Sequence, residues 1–464
     1  MNSVTDLFIN ENVCPDLDIS NAAKHLSEAL QCITVNDRKH YEEFEHLQSY
    51  MKQNFPHVMA AGTFELVKHS VLITLPGTNP ALQPCLFMAH QDVVPVVSGT
   101  EKDWKYPAFS GKIAEGSVWG RGALDIKEMV FGELEAAEYL LSHGESFKRT
   151  VYLAFGEDEE TFNTGAQAIS DLLKSRGIKL DFLLDEGGGM IESAASYGAP
   201  ETLISPITLM EKGYADLELS VKSRGGHSSR PYGGTSLGRL SCAIAQIVEN
   251  PFAFCLSPVM KQLFSVLQPY ITQEPLHTLV QDMDGNADKI AAYCIQQKDI
   301  FQFFTTTIAP TIIRGSSAAC NVMPQNMEAV INFRLAETET IDSVMEHCKT
   351  VVKDKSVEMR YLQANNPSVV ARSDGYGYQM LTNTLHKYLK DVVFVPGISA
   401  GATDAHCYEQ ICDTCLRFSP FFAEPEDIRT GEHGTNEHLT IRAYAHGIRI
   451  LIDFMTSTCI YLHE

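Results

Sequence analysis

The arrangement of apolar segments along the first 200 residues limits the fold more than any other feature of this sequence. Short apolar runs at residues 84–89, 150–155 and 180–184 have the length and composition of buried strands. Longer segments at residues 125–142 and 165–176 lie around them and predict helices. Strands that alternate with helices in this way favour a layered α/β domain with a mostly parallel sheet.

The pattern changes at about residue 207 and returns to the first type at about residue 366. The intervening segments predict the order β-α-β-β-α-β, which indicates a small antiparallel sheet with helices on one face. The predicted strands are 214–221, 305–314, 327–335 and 357–362, and the predicted helices are 236–249 and 340–352. Residues 251–304 have no clear pattern and are assigned to the same inserted domain. We therefore expect an α/β domain made of residues 1–206 and 366–464, interrupted by an inserted α+β domain at residues 207–365.

The remaining segments of the α/β domain predict further helices and strands. We expect helical structure over residues 17–54, a strand at 65–74, a loop-rich stretch at 104–122, a helix at 376–390, a strand at 391–395 and a closing helix from 439.

Charge and composition argue against several classes of partner. The formal net charge of -22 disfavours nucleic acid and anionic membranes, because both bind basic surfaces. The twelve cysteines are scattered along the chain, which favours reduced thiols over a disulfide framework. The first residues lack a basic region followed by an apolar one, and the apolar segment 441–462 is interrupted by charged residues. We therefore expect a cytoplasmic protein with no membrane partner.

Imidazole and carboxylate side chains recur where the predicted strands end. In open α/β sheets, ligands bind outside the carboxyl ends of the strands, so residues far apart in sequence can meet there. Taken singly, each has an ordinary structural explanation, such as an N-cap for Asp125. The residues are His90, Asp92, Asp125, Glu159, Glu160, Asp185 and His433.

Two imidazoles with three or four carboxylates suit Zn²⁺, Co²⁺ or Mn²⁺. So many anions would not all stay ionised around one divalent ion, whereas two ions about 3.5–4 Å apart match the charge better. Such ions would lower the pKa of a shared water towards ~7, and one carboxylate must then be free to take its proton. The residues therefore predict a site for two metal ions.

Six short motifs contain or adjoin these residues. They are His90-Gln-Asp-Val-Val-Pro95, Gly120-Arg-Gly-Ala-Leu-Asp-Ile-Lys127, Asp158-Glu-Glu160, Leu184-Asp-Glu-Gly-Gly188, Gly225-Gly-His-Ser-Ser229 and His433-Gly-Thr-Asn-Glu437. In this order they resemble the motif set of the M20 metallopeptidases. The overall pattern is most similar to the branch that contains carboxypeptidase S and the N-acyl-amino-acid hydrolases.

The resemblance implies roles for the residues at the strand ends. Two Zn²⁺ ions per subunit are expected, with Co²⁺ or Mn²⁺ as alternatives. Asp125 would bridge them, Glu160 and His433 would complete one site, and His90 and Asp185 the other. Glu159 would be the general base that activates water and then protonates the leaving nitrogen. Asp92 would accept the second ring N–H of His90 and fix its orientation.

The resemblance also makes the inserted domain a lid and dimerisation domain. His227 would polarise the substrate carbonyl, and in the family this residue commonly reaches the active site of a partner subunit, which implies a homodimer. Asn321 and Arg334 match positions that contact substrate, and a guanidinium would pair with a free α-carboxylate. Gly401 and Thr403 lie in a Gly-rich loop that resembles the family's substrate loop.

We therefore expect an amide hydrolase that releases an amino acid from a peptide C-terminus or from an N-acyl amino acid. Two alternatives stay open. One is an aminoacylase or a biosynthetic deacylase of the same fold, and the other is a peptide-binding protein that has kept the fold without catalysis.

Overall fold

The computed structural model describes residues 4–10, 13–317, 319–424, 427–428 and 431–462. Its strands, numbered in chain order, are β1 (Thr63–Val67), β2 (Ser70–Leu75), β3 (Cys85–His90), β4 (Lys112–Ala114), β5 (Ser117–Trp119), β6 (Val151–Gly156), β7 (Phe182–Asp185), β8 (Glu192–Ala194), β9 (Ala199–Glu211), β10 (Gly213–Lys222), β11 (Gly226–His227), β12 (Thr307–Arg314), β13 (Val322–Met323), β14 (Asn326–Leu335), β15 (Glu358–Asn365), β16 (Val392–Ser399), β17 (Cys415–Arg417) and β18 (His438–Thr440). Its α-helices are α1 (Ile19–Ala29), α2 (Glu42–Asn54), α3 (Pro56–Ala61), α4 (Lys127–Ser142), α5 (Thr164–Ser175), α6 (Ser236–Val248), α7 (Pro258–Leu267), α8 (Leu276–Leu279), α9 (Ala287–Cys294), α10 (Ile341–Val351), α11 (Tyr376–Tyr388) and α12 (Ile441–Met455).

A large sheet forms the centre of the first body, in the order β1-β2-β6-β3-β7-β17-β9-β16, with β8 paired to β9. Strands β6, β3, β7 and β17 are mutually parallel, and β9 is parallel to β16. Every residue of β3 and β6 is buried, as expected for parallel strands covered by helices on both faces. Phe87 faces the core formed with α4 and α12, whereas its neighbours Leu86 and Met88 face the core under α5. The predicted layered α/β fold is therefore confirmed.

The inserted domain has its own antiparallel sheet in the order β12-β14-β10-β15. Alternate residues of β10, such as Leu217 and Leu219, are buried against α6 and α10, which contribute Leu240 and Val344 to the same core. The alternation of apolar and polar residues that predicted this sheet reflects its two faces, one packed on helices and the other open. The predicted α+β insertion is confirmed as well.

Residues 251–304 are expected to belong to the inserted domain, but they pack against the large sheet. Helix α7 lies against the large sheet, where Met260 and Phe264 share a core with Ile204 of β9 and Val395 of β16. The large sheet also extends to Glu211, so the chain changes sheet at Lys212 instead of residue 207. This segment belongs to the first body because its apolar face covers the end of the large sheet, a long-range contact that no local pattern reveals.

Two predicted elements are each divided in the structure. The helical stretch at 17–54 contains α1 and α2, and the intervening backbone accepts hydrogen bonds from the buried Lys127 ammonium at Ala29 O (3.1 Å) and Cys32 O (2.7 Å). The strand expected at 65–74 is the hairpin β1–β2, with a turn at Lys68, whose φ is 57°. Among the described residues, no helix has both the length and the apolar character needed to cross a membrane.

Candidate metal centre and active site

The carboxyl ends of three neighbouring parallel strands place the central residues of the site. His90 is the last residue of β3, and Glu159 and Glu160 follow β6 in the first loop after Gly156. Strand β7 ends at Asp185, directly before Glu186. Because β6, β3 and β7 are adjacent and parallel, their ends meet at one edge of the sheet.

Two groups of three side chains could each hold a cation, and they share Asp125. His90, Asp125 and Glu186 form one group, and Asp125, Glu160 and His433 form the other. In the first, His90 Nε2 lies 3.1 Å from Asp125 Oδ1 and 3.4 Å from Glu186 Oε1. In the second, His433 Nε2 lies 3.0 Å from Asp125 Oδ2 and 3.1 Å from Glu160 Oε2. One carboxylate therefore offers an oxygen to each group, as a bridging ligand must.

Asp185 does not lie in either group, and Glu186 lies beside His90 in its place. The assignment of Asp185 as a ligand stays a prediction. The Asp185 carboxylate is buried, accepts a hydrogen bond from the Glu186 N–H (2.8 Å), and interacts electrostatically with Arg417. The buried Asp185 Oδ2 atom has no hydrogen-bond partner among the described residues, as for Glu160 Oε1. Glu186 Oε1, in contrast, lies 3.4 Å from His90 Nε2.

Asp92 supports the centre without joining it. His90 Nδ1 donates to the main-chain oxygen of Asp92 (2.9 Å), and the Asp92 carboxylate is further away at 3.4 Å. That carboxylate accepts hydrogen bonds from the backbone N–H groups of Glu159 and Glu160, at 3.2 Å each. Asp92 therefore fixes both the imidazole and the loop that carries the two glutamates.

A buried glutamate that sequence reasoning left out holds the loop of Asp125. The Glu437 carboxylate accepts hydrogen bonds from the backbone N–H groups of Gly122 (3.0 Å), Leu124 (2.8 Å) and Asp125 (3.2 Å) and from Arg121 Nη1 (2.6 Å). Glu437 is the last residue of the quoted motif that begins at His433, so the motif itself contained the signal. This network joins the loops that supply Asp125 and His433.

The pKa shifts of the central side chains show that the carboxylates of the centre favour a nearby positive charge. Hydrogen bonds to Asp125 and Glu160 raise the pKa of His433 to about 10. Burial opposes protonation of His90, yet the neighbouring Glu186 and Asp125 carboxylates raise its pKa as well. Burial raises the pKa of Glu186 to about 8. The imidazoles thus act as cations towards the carboxylates, a role that divalent ions fill better.

The donor set fits divalent cations. Imidazole nitrogens and carboxylate oxygens are ordinary ligands of Zn²⁺, Co²⁺ and Mn²⁺. The buried Oε1 atom of Glu160 has no hydrogen-bond partner within the described part of the chain, although a buried carboxylate oxygen normally has one. A bound cation would satisfy this oxygen together with the atoms of the two groups.

Glu159 lies beside both groups. Its Oε2 atom is 3.9 Å from His90 Nε2, and burial followed by the nearby Glu186 charge raises its pKa. It also lines two openings of the structure, a cavity of about 460 Å³ beside the metal centre and a cleft of about 830 Å³ towards the inserted domain. A carboxyl group placed there can exchange a proton with a molecule in either space.

The residues predicted to bind substrate fall into two sets. Gly401 lines both the cavity and the cleft, and Arg334 lines the cleft, with Nη1 donating to Ala400 O at 3.0 Å. Thr403 lines the cavity, but its hydroxyl and its N–H both donate to the buried Glu211 carboxylate, at 2.7 and 3.0 Å. Thr403 therefore holds the loop in place.

His227 and Asn321 form the second set and are not among the residues that line the cavity or the cleft. His227 lies on β11, which pairs with β13, and the Ser228 N–H donates to Asn321 O at 2.8 Å. Both side chains are exposed, and His227 Nδ1 contacts only its neighbour Ser229 in the hydrogen bonds of the described residues. Within one chain, the structure does not bring these two residues to the metal centre.

Comparisons with known proteins show the family of this chain. A family model described as peptidase family M20/M25/M40 matches residues 86–457. The chain is 33% identical over 430 residues to the N-fatty-acyl-amino acid synthase/hydrolase PM20D1 of Mus musculus, covering 89% of this chain and 84% of the relative. It is 27% identical over 499 residues to carboxypeptidase S of Saccharomyces cerevisiae, covering 94% and 84%.

A solved structure shows the same fold. The M20 family metallo-carboxypeptidase Sso-CP2 from Sulfolobus solfataricus superposes with a TM-score of 0.69 at 17% identity, covering 94% of this chain and 98% of that one. The resemblance seen in the sequence motifs is thereby confirmed. The family match over most of the chain shows that this protein belongs to peptidase family M20/M25/M40, as an enzyme related to PM20D1 and carboxypeptidase S.

Proposed function

We propose that the protein is a two-metal amide hydrolase that releases an amino acid from an N-acyl amino acid or from the C-terminus of a small peptide. The observation that carries the proposal is the pair of ligand groups that share Asp125. The names of the relatives supply the substrate class, since one is an N-fatty-acyl-amino acid synthase/hydrolase and another a carboxypeptidase.

In this proposal the centre holds two Zn²⁺ ions per subunit, with Co²⁺ or Mn²⁺ as alternatives. His90, Asp125 and Glu186 hold one ion, and Asp125, Glu160 and His433 hold the other. Bound there, the ions supply Lewis acidity and make a water molecule more acidic.

Glu159 moves the proton. Its buried carboxyl group has a raised pKa, so it holds a proton more firmly than an exposed glutamate does. It can therefore accept a proton from the attacking water and donate it to the leaving nitrogen. Asp92 keeps the loop of Glu159 in place through the backbone hydrogen bond described above.

The substrate carboxylate binds at the edge of the cleft. Arg334 lies against the Gly401 loop, because its guanidinium donates a hydrogen bond to Ala400 O. A guanidinium pairs well with a carboxylate. Substrates that end in a free α-carboxylate are therefore preferred.

The lid residues act in a homodimer that forms through the inserted domain. His227 and Asn321 lie outside the openings of their own chain, so we place them at the active site of the partner subunit, where His227 polarises the carbonyl. The edge strand β12 supports this assembly, since Ile313 is 58% exposed there. The cytoplasmic location stays a prediction.

A substrate panel tests the proposal. Purified protein loaded with Zn²⁺ is incubated with N-acyl amino acids and with dipeptides, and products are read by mass spectrometry. We expect release of free amino acids, which a chelator abolishes and added metal restores. Dominant cleavage of short N-acetyl amino acids would favour the aminoacylase alternative. Stoichiometric metal with no cleavage of any amide would favour the peptide-binding alternative and contradict the proposal.

Glu159→Gln tests the role of the base. The variant keeps the shape of the side chain but cannot take up the proton, so we expect turnover to fall by about a hundredfold to ten-thousandfold while two ions remain bound. Glu45→Gln, an exposed position on α2, is the matched control and should keep full activity. Unchanged turnover in Glu159→Gln would overturn this assignment.

A further inference from the structure

The cavity beside the metal centre contains an unusual combination of side chains. Part of its lining is apolar and includes Ile126, Met129, Phe421 and Phe422. Its volume of about 460 Å³ is in the range of small-ligand pockets. Glu128, which belongs neither to the ligand groups nor to the proton-transfer path, also lines it.

Glu128 is buried, with 2% of its surface exposed, and its Oε2 atom has no hydrogen-bond partner within the described residues. The residue lies in the first turn of α4, where a helix N-terminus favours a carboxylate. That explanation is incomplete, because a capping carboxylate would use its oxygens on backbone N–H groups. One oxygen instead has no partner among the described residues. Both carboxylate oxygens of Glu133, on the same helix, share this property, but only Glu128 lines the cavity.

The side chains around Glu128 are mostly acidic. The described residues that line the cavity include six acidic side chains, one histidine and no lysine or arginine. Three of the six carboxylates, those of Asp125, Glu160 and Glu186, belong to the two ligand groups, whereas Glu128 does not. Arg121 is engaged by the buried Glu437 carboxylate.

We propose that Glu128 is a specificity residue that selects substrates whose cavity-bound group has an apolar stem and a cationic tip. The stem of such a group would lie against Met129 and the phenylalanines, and its ammonium or guanidinium would donate to the free Glu128 oxygen. A charged hydrogen bond in a buried site discriminates strongly, because the analogue without the donor leaves the carboxyl group unpaired. This inference rests on the proposed hydrolase function.

Isosteric substrate pairs test the inference. In the first pair, the amino-acid part is lysine or 2-aminoheptanoic acid, in which a methyl group replaces the ammonium. In the second pair, the acyl part is 6-aminohexanoyl or heptanoyl. The ratio of kcat/KM within each pair is measured for the wild type and for Glu128→Gln and Glu128→Leu. The pair that shows the preference also tells which part of the substrate enters the cavity.

We expect the wild type to prefer the cationic member of one pair by about tenfold to a hundredfold. The preference should shrink in Glu128→Gln and reverse in Glu128→Leu, because leucine accepts the methyl group and rejects the charge. Equal ratios in all three proteins, for both pairs, would overturn the inference. Since each ratio compares two substrates on one protein, partial misfolding of a variant does not change it.

A binding measurement distinguishes a failure of this inference from a failure of the hydrolase proposal. If the zinc-loaded wild type cleaves none of the four substrates, the melting temperature is measured with lysine or 2-aminoheptanoic acid and with 6-aminohexanoate or heptanoate as ligands. Larger stabilisation by the cationic member of a pair, lost in Glu128→Leu, supports the cavity assignment without any turnover. Equal stabilisation within both pairs contradicts it.

Discussion

The choice between Asp185 and Glu186 as a metal ligand leads to a sharp prediction, because the two residues are neighbours. Glu186→Gln and Asp185→Asn each replace one carboxylate by an amide of the same shape. Glu186 Oε1 lies 3.4 Å from His90 Nε2 in a ligand group, whereas Asp185 contacts the backbone N–H of Glu186. Each variant is thus the matched control of the other.

The structure indicates how strongly Glu186→Gln should weaken metal binding. The group of His90, Asp125 and Glu186 offers three protein ligands, so the change at Glu186 leaves two charged or basic donors and a neutral amide. Even residues that only orient a ligand reduce metal affinity by about 10- to 100-fold when changed. Loss of a direct ligand should therefore weaken one ion by more than about a hundredfold, which corresponds to about 2.7 kcal/mol. Asp185→Asn should weaken it by less than tenfold.

Metal content measured by inductively coupled plasma mass spectrometry, after dialysis against buffered chelator, distinguishes the two variants. We expect one tightly bound ion per chain in Glu186→Gln and two in Asp185→Asn, since the group of Asp125, Glu160 and His433 is intact in both. Circular dichroism checks that both variants are folded. Two retained ions in Glu186→Gln, together with one lost in Asp185→Asn, would refute the assignment of Glu186.

Two further predictions concern buried charges away from the ions. Glu211 accepts hydrogen bonds from Arg417 Nε (2.5 Å) and from Thr403, and the side chains of Glu211 and Arg417 are both buried. Glu211→Gln leaves the buried guanidinium without its anion, so it should lower the free energy of unfolding by about 3–5 kcal/mol. A decrease below about 1 kcal/mol in urea denaturation would contradict this prediction. Burial lowers the pKa of Lys212 to about 7, while an unfolded lysine titrates near ~10.4, so the unfolded chain binds the proton more tightly between these values. The contribution of Lys212 to the free energy of unfolding should thus rise as the pH increases from about 7 to 10, by up to about 4 kcal/mol, and the difference between wild type and Lys212→Met across this range should show the slope. A pH-independent difference would contradict the burial argument.

The ligands at strand ends could be predicted because parallel strands bring their carboxyl ends together whatever their separation in sequence. This reasoning accounts for His90 and Glu160, which lie at or just after the ends of β3 and β6 and belong to the two groups. It does not account for Asp125 and His433, which lie near β5 and β18 of a separate antiparallel sheet. It could not choose between Asp185 and Glu186, because the end of a strand does not reveal which of two successive carboxylates faces the cavity. Only the backbone direction at the end of β7 decides that choice.

The placement of residues 251–304 could not be predicted for a different reason. Short helices such as α7 and α9 carry apolar faces that would suit either body of the protein. The choice depends on β16, which is far away in sequence and supplies Val395 and Ile398 to the shared core. Local patterns describe which face of a helix is apolar, but not which partner covers it.

Strand β17 imposes an order on folding. It lies between β7 and β9 in the large sheet, although the chain supplies it much later than either neighbour. During synthesis, the backbone N–H and C=O groups of β7 and β9 that face β17 therefore stay unpaired until residues 415–417 have left the ribosome. Contacts between such distant segments slow folding and expose strand edges to other chains. Nascent chains that stop before β17 should therefore depend most on chaperones, because the middle of the sheet is the last part to be filled.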